Sequence, residues 1–249
     1  GSKLRAHVKI DTGMGRMGVA TEKTVLLCRH LAKLNNLEIE GVYTHLSTAD
    51  DDLDYATEQI GRFRDVVAPL RASGYSFRYL HAANSAATLR GADFHFNAVR
   101  VGLAIYGLSP SPEVPIPEGF RPVMSWKTVV AQVKTLHSGH PVGYGNTYRT
   151  HGEERIAVLP IGYADGFRRA PRNPGSVLIH GAFAPVIGRV SMEKTTINVT
   201  DIPDVTVGDE VVLLGRKGDN QITAEAIAEN IGTINYEVVT TILPRVPRR

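Results

Sequence analysis

Apolar positions along the first hundred residues recur with two alternating periods. Short runs rich in β-branched and aromatic residues, "AHVKID", "LEIEGVYTHL", "FRYLHA" and "AVRVGLAIYG", read as four strands. Between them the spacing turns helical. Residues 22–34 place Val25, Leu26, Leu27, Leu31 and Leu34 mostly on one helical face. Residues 52–72 do the same with Tyr55, Ile60, Phe63, Val66, Val67 and Leu70, and Gly74 suits a C-cap. "NSAATLR" starts a third, short helix. Four β-α units in succession predict a parallel sheet with helices outside it.

The pattern changes at "LSPSPEVPIPEGFRP", where five prolines fall in fifteen residues. Such a stretch continues neither a helix nor a central strand, so 109–122 reads as a linker. Beyond it come many short β runs separated by turn signals: "MSWKTVVAQVKTL", "RIAVLPIGYA", "SVLIHG", "APVIGRVS", "TTINVTD", "EVVLLG" and "EVVTTIL". They predict a β-sandwich or barrel. One helix interrupts them, "AEAIAENIG", with Thr223 as N-cap and Gly232 as its stop. The chain therefore divides into an α/β region (1–108), the linker and a β-rich region (123–249). A closed (β/α)8 barrel takes about 250 residues. Four β-α units are then either a small open sheet or the second half of a barrel.

Composition narrows the class. The 249 residues are 43% hydrophobic and 21% charged, ordinary for a globular protein. No apolar run of eighteen residues occurs, so no membrane segment is expected, and no signal-peptide pattern is present. A net charge of +3 gives no case for nucleic acid as a partner. The lone cysteine, Cys28, excludes an internal disulfide and reads as a buried helical thiol, in keeping with a cytoplasmic location. No metal site is expected. The Gly1-Ser2 start, without an initiator Met, reads as a cleavage scar left by an expression tag.

In parallel α/β folds, ligands gather at the C-terminal ends of strands. Those ends are "DTGMGRMG", "THLSTAD", "HAANSAAT" and "VRVGLAIYG", which together offer Arg16, His45, Asn84, Ser85, Arg100 and a turn at Gly102. The first contains Gly13-x-Gly15-x-x-Gly18, the dinucleotide-binding spacing, with Glu38 and Glu40 about twenty residues on. Ser85 opens a helix and Gly102 permits close approach of backbone amides, which together suit an anion. A barrel commonly binds phosphate after strands seven and eight, where these loops would fall in the half-barrel reading. The β-rich region adds tyrosines beside glycines: Tyr144 in "PVGYGNTY", Tyr163 in "IGYADGF" and Tyr236 in "INYEV". A phenol needs nearby cations to act as a base.

Taken in order, "KIDTGMGRMG", "THLSTAD", "NSAAT", "VRVGLAIYG", "GYGNTY", "GYADGF", "GRVSM" and "INYEV" resemble the alanine racemases, fold-type III enzymes that use pyridoxal 5'-phosphate (PLP). The resemblance covers nearly the whole chain. It implies a (β/α)8 TIM-type barrel, of which only the C-terminal half is present, followed by a β-rich C-terminal domain. It implies interconversion of L- and D-alanine by a two-base Tyr/Lys mechanism that supplies D-alanine for peptidoglycan, in a homodimer with shared active sites. NAD is not expected.

The roles implied by the resemblance fall residue by residue. Arg16 binds the substrate carboxylate, and Lys9 stands where some members carry a carbamylated lysine. Arg100 faces the pyridine nitrogen, and His45 bridges Arg100 and the catalytic Tyr144, which reaches over from the partner subunit. Ser85, the amides of Gly102 and Leu103, and Tyr236 hold the phosphate, with Asn84 beside them. Met192 meets the carboxylate through its backbone, also from the partner. Tyr163 lines the entrance, with Asp50, Arg169, Arg189 and Ile234 in an outer layer. Glu193 and Gly143 depart from the family's usual Asp and Ser, which touches details of the entrance and not the reaction.

The larger departure is an absence. The family's PLP-linked lysine stands in a "KANAYGHG"-like stretch, and none occurs here. These residues alone are therefore expected to be inactive, with the uncovered strands met by the missing N-terminal barrel half or another copy. The competing readings are a serine or broad-spectrum racemase on the same scaffold, and a non-catalytic dimerisation or binding module of a longer protein. A fold-type III decarboxylase lacks support, because its glycine-rich phosphate loop and reactive-cysteine motif are not found.

Overall fold

A computed structural model describes residues 3–170 and 172–249; the cleavage scar read at Gly1-Ser2 lies outside the described residues. The chain divides into two compact units, residues 1–121 and 122–249. The boundary comes at the end of the proline-rich stretch, which is not a free linker. Val114 is buried in an apolar cluster with Leu46, Ile60 and Ala86, and Ser111 Oγ donates to the Asp50 carbonyl.

In the first unit, β1 (Leu4–Asp11), β2 (Val19–Ala20), β3 (Leu37–Tyr43) and β4 (Tyr79–His81) form a parallel sheet in the order β2-β1-β3-β4. Three helices alternate with them: α1 (Thr21–Leu31), α2 (Leu53–Ala72) and α3 (Ser85–Arg90). Val8, Ile10, Val42 and Leu80 leave one face of the sheet and pack with Cys28, Phe63 and Leu70 of the helices. Alternation sends the remaining side chains to the opposite face, where the rings of His7, Tyr43, Tyr79 and His81 stack or tilt against one another. Barrel interiors are filled mostly by branched apolar residues, so a lining of ionisable and aromatic groups marks this face as functional.

The register of β3 makes that face possible. Ala6 pairs with Ile39, but His7 pairs with Gly41, so Glu40 is an extra residue in a bulge. The bulge switches the side-chain parity. Ile39 packs on the helix side before it and Val42 after it, while Tyr43 is turned toward the histidines.

Three expectations are corrected in this unit. The predicted fourth strand "AVRVGLAIYG" is reduced to an isolated bridge between His81 and Ala98, followed by a 3-10 turn at Leu103–Tyr106. The cause is local. Phe96 sits at φ 53°, and the Asn97 side chain accepts from the Leu80 amide and donates to the Arg78 carbonyl, filling ladder positions beside β4. α1 ends at Leu31, so Leu34 lies beyond it, and Leu26 is exposed. Thr24 and Cys28 are the residues α1 buries. By contrast α2 runs as its periodicity predicts, with Asp52 capping the Tyr55 amide.

The second unit contains β5 (Trp126–Val129), β6 (Gln132–Leu136), β7 (Pro141–Val142), β8 (Tyr148–Arg149), β9 (Glu154–Leu159), β10 (Ser176–Ile179), β11 (Ala182–Ile187), β12 (Thr195–Asn198), β13 (Glu210–Lys217) and β14 (Asn220–Ile222). Eight of them form one antiparallel sheet in the order β14-β13-β10-β11-β12-β9-β6, with β5 also paired to β13; β7 and β8 make a separate hairpin. α4 (Ala224–Ile231) is capped by the Thr223 hydroxyl and closed by Gly232 at φ 74°. The β-branched run "EVVTTIL" was expected to be a strand and is instead largely α5 (Asn235–Thr240). Its buried Asn235 and Val238 fall at helical spacing, and packing on α4 outweighs β propensity.

Candidate active site

The glycine fingerprint turns its amides inward. Asp11 Oδ1 accepts from the backbone N–H groups of Gly13, Met14 and Gly15 at 3.0–3.1 Å. The bond from Gly15, then that from Gly13, holds the carboxyl below its ordinary pKa. A carboxylate of the chain itself thus occupies the place a pyrophosphate would take, so the loop is not built for a dinucleotide. Gly13 (φ 137°) and Gly18 (φ 126°) cannot be replaced without collision: a Cβ would lie 2.3 Å from Tyr55 Oη or 2.8 Å from the Asp11 nitrogen, respectively. Arg16, at the tip of the loop, is exposed, and Lys9 at the end of β1 is half-buried.

Gln59 ties the strand ends together from α2. Fully buried, it accepts from the amide and hydroxyl of Ser47 and donates to the His45 carbonyl at 3.2 Å and to Thr12 Oγ1 at 3.4 Å. Thr12 and Thr44 join their hydroxyls at 2.7 Å. Buried polar networks of this kind fix geometry when every member is satisfied.

Arg100 lies at the centre of the rim. Its Nη1 donates to His81 Nδ1 at 2.7 Å, and its Nη2 reaches the Thr44 carbonyl at 2.9 Å, His45 Nδ1 at 3.1 Å and the Ala82 carbonyl at 3.2 Å. The guanidinium also stacks 5.1 Å from the Tyr43 ring centre. Burial, followed by the Arg100 charge, pushes both His45 and His81 down to about 4. Both imidazoles are neutral at physiological pH and accept from a cation that keeps its proton. Arg16 and Lys9 lower His45 further, so four of the predicted groups share one electrostatic environment.

Next to this cluster, the backbone N–H of Arg100 donates to the Ala83 carbonyl. Asn84 caps α3 by accepting from the Ala87 amide, and Ser85 is buried. Ser85 Oγ accepts from the amides of Gly102 (2.9 Å) and Ala104 (3.3 Å). A hydroxyl that accepts twice still has one proton to donate. Leu103 is buried in the turn beside it. Asp50 sits in the same unit and offers its carbonyl to Arg90 and Ser111.

In the second unit, Tyr144, Tyr163, Arg169 and Met192 line one cleft of about 420 Å³. Tyr144 is 66% exposed, and the Arg169 guanidinium lies 5.9 Å from its ring centre. Arg169 is anchored to the Val190 carbonyl at 2.8 Å. Gly143 (φ 70°), Gly145 (φ 73°) and Asn146 (φ 50°) fold the backbone sharply around the phenol. Arg189 approaches Gly145, where a Cβ would lie 2.8 Å from its Nη1. Gly162, before Tyr163, packs so closely on the Met192 segment that a Cβ would stand 2.1 Å from the Ser191 carbonyl oxygen. Tyr236 lies on α5, with Ile234 exposed at its N-cap. Glu193 pairs with Arg245 at 2.9 Å.

Two family models divide the chain as the two units do. The alanine racemase N-terminal domain matches residues 1–110 and the alanine racemase C-terminal domain matches residues 123–249. The chain belongs to the alanine racemase family. It is 45% identical over its whole length to the alanine racemase of Symbiobacterium thermophilum and 43% identical to that of Desulfovibrio desulfuricans. In each case it spans 66% of the relative's length. A crystal structure of alanine racemase from Bacillus anthracis with bound L-Ala-P matches all of this chain with a TM-score of 0.92 at 42% identity, the chain covering 64% of it. A crystal structure of the E. faecalis alanine racemase matches 99% of the chain with a TM-score of 0.93 at 39% identity, with 66% of that protein covered.

Alanine racemases pair a barrel domain with a β-rich domain, which agrees with the α/β and β units described above. The donor set suits PLP. A phosphoester needs O–H and N–H donors, which the Ser85 hydroxyl and the turn at Gly102 provide, and an aromatic nitrogen finds a fixed cationic donor in Arg100. The pattern pointed to Arg16, His45, Ser85 and Arg100. It missed Gln59, which bonds the His45 carbonyl, and Thr44, Tyr43 and His81, which contact Arg100, together with Thr12 and His7 beside them. No helix among the described residues is long and apolar enough to cross a membrane.

Proposed function

We propose that this chain supplies the cofactor- and substrate-facing residues of an alanine racemase that interconverts L- and D-alanine with PLP. The observation that carries the reading is Arg100, a half-buried guanidinium gripped by two neutral imidazoles and two carbonyls, two residues before Gly102, whose amide orients the Ser85 hydroxyl. Bound PLP would supply the electron sink that makes the α-proton of alanine removable.

The chain's own residues then divide the work. Ser85, the turn amides of Gly102 and Leu103, and the Tyr236 phenol hold the phosphate, with Asn84 fixing the start of α3. Arg100 offers a proton it scarcely releases, so the ring nitrogen stays largely unprotonated and side reactions such as transamination are limited. Arg16 takes the substrate carboxylate as a planar bidentate partner, and a carbamylated Lys9 would hold it in place. Met192 meets the same carboxylate through its backbone.

Tyr144 removes the α-proton of the L-isomer from the neighbouring subunit of a homodimer. Because His45 Nδ1 accepts from Arg100, its Nε2 carries the imidazole proton and is the donor available to a phenolate. Tyr163, Asp50, Arg169, Arg189 and Ile234 form the entrance. The base for the D-isomer is a lysine outside these 249 residues, on the strands that complete the (β/α)8 barrel. The protein acts in the cytoplasm and feeds peptidoglycan synthesis.

The test is racemisation of L-alanine by the native protein that carries this chain, with PLP, beside serine and lysine as substrates. Alanine turned over fastest supports the reading; no D-alanine overturns it. The 249 residues alone should give none at enzymatic rates.

A further inference from the structure

Arg100 is the upper end of a longer relay. His81 Nδ1 accepts from Arg100, so a neutral His81 carries its proton on Nε2. That nitrogen lies 2.8 Å from His7 Nδ1, which must therefore be the acceptor. His7 in turn presents its Nε2 to Glu40 Oε2 at 3.6 Å. The proton positions from Arg100 to His7 follow from a neutral His81 and from the fact that a guanidinium only donates. Because the strands are parallel, the relay runs from the C-terminal rim, where Arg100 and His45 sit, toward the N-terminal ends of β1 and β3.

The lower end is built and not incidental. Glu40 is the bulged residue of β3, and the bulge brings Gly41 opposite His7. A Cβ at Gly41 would lie 3.0 Å from both Cε1 and Nδ1 of His7, and 2.6 Å from the Tyr79 carbonyl oxygen. Only glycine leaves room for the imidazole there. Tyr79 stacks on His7 at 5.6 Å, and Arg5 (3.1 Å) and Arg78 (3.4 Å) hold the Glu40 carboxylate in place.

We propose that His7, backed by Glu40, is a positioning residue for Arg100: it stabilises His81 as the Nε2–H tautomer and so keeps His81 Nδ1 as the acceptor that orients the guanidinium. The inference rests on the proposed role of Arg100 opposite the cofactor's ring nitrogen. Neither His7 nor Glu40 touches substrate in this account. Without His7, the buried Nε2–H of His81 has lost its acceptor, and the alternative tautomer, which cannot accept from Arg100, becomes populated.

Two measurements on the native holoenzyme test this. In 15N-histidine-labelled protein, NMR should show His81 neutral and protonated at Nε2, with through-hydrogen-bond 15N–15N coupling to His7 Nδ1. Finding His81 protonated at Nδ1, or His7 uncoupled from it, overturns the relay whatever the enzyme does. In racemisation, His7→Leu should lower kcat by about tenfold or more, as removal of an outer-shell partner does elsewhere, with KM for alanine nearly unchanged. His7→Asn, whose side-chain oxygen replaces the Nδ1 acceptor, should restore most of it. Equal kcat in all three proteins overturns the positioning role while leaving the racemase reading standing. A wild-type holoenzyme without racemase activity overturns that reading, and the positioning role with it, even if the NMR coupling is present.

Discussion

Replacing Arg100 by lysine keeps the charge and removes the fork, which makes it a sharp test of how the rim is held. Arg100 reaches four acceptors, one through Nη1 and three through Nη2. A lysine ammonium has three protons on a single nitrogen and cannot stand in both places. Either His81 or some of Thr44, Ala82 and His45 must lose its donor. Leaving a buried acceptor unsatisfied costs about 1–3 kcal/mol. One or two such losses give about 2–4 kcal/mol for Arg100→Lys, or about 30- to 1000-fold in an opening equilibrium. Native-state hydrogen exchange reads this locally. The amides of β4, and those of Arg100, Gly102 and Ala104, should exchange faster by that factor, while the β10–β13 ladder in the second unit gives the reference within the same sample. Unchanged protection around β4 would show that the guanidinium contacts contribute nothing to holding the rim, and the account of Arg100 would fail.

Other perturbations separate the remaining claims. Asp11→Asn should destabilise the loop after β1 by about 1–2 kcal/mol at neutral pH, since three amide bonds to a charge become bonds to a neutral carbonyl in a largely solvated site. Its sign follows from the lowered pKa. The stabilisation is complete above the ordinary carboxyl value of 3.8 and is lost as pH falls through the lower folded value, so wild type and variant should converge in urea titrations only in strong acid. Gly162→Ala should cost about 2 kcal/mol or more in the second unit, because the added methyl meets the Ser191 carbonyl; unfolding followed by the fluorescence of Trp126, the single tryptophan, reads it. In the holoenzyme, Tyr144→Phe should slow proton removal from L-alanine by about 10²–10⁴-fold while PLP still binds, checked by initial rates and by cofactor absorbance. A variant that retained full activity would remove Tyr144 from the mechanism.

Much of the fold was legible because the burial pattern and the backbone period agree. α2 places Ile60, Phe63, Val67 and Leu70 on one side, and α4 carries both its cap and its stop in Thr223 and Gly232. Where local and tertiary preferences diverge, the pattern misleads. "EVVTTIL" has strand composition, yet α5 gains more by burying Val238 against α4. "AVRVGLAIYG" has strand spacing, yet Asn97 side-chain bonds take the place of the ladder. The motifs exposed the rim residues, since Arg16, His45 and Ser85 come in the loops that follow apolar strands and Arg100 lies inside a strand-like run. The residues beneath them were harder to see. Gln59 looks like any polar position on α2, and the His7–His81 contact spans 74 residues. The one local trace of that contact is the shift from Leu37 and Ile39 to Val42 in "LEIEGVY", a break of alternation that betrays the bulge.

The most direct measurement is a crystal structure of the native protein grown with PLP. The phosphate should lie against Ser85 Oγ and the amides at Gly102 and Leu103, with the pyridine nitrogen facing Arg100. A cofactor bound elsewhere, or turned so that its phosphate meets Arg100 and its ring nitrogen meets Ser85, would contradict this placement.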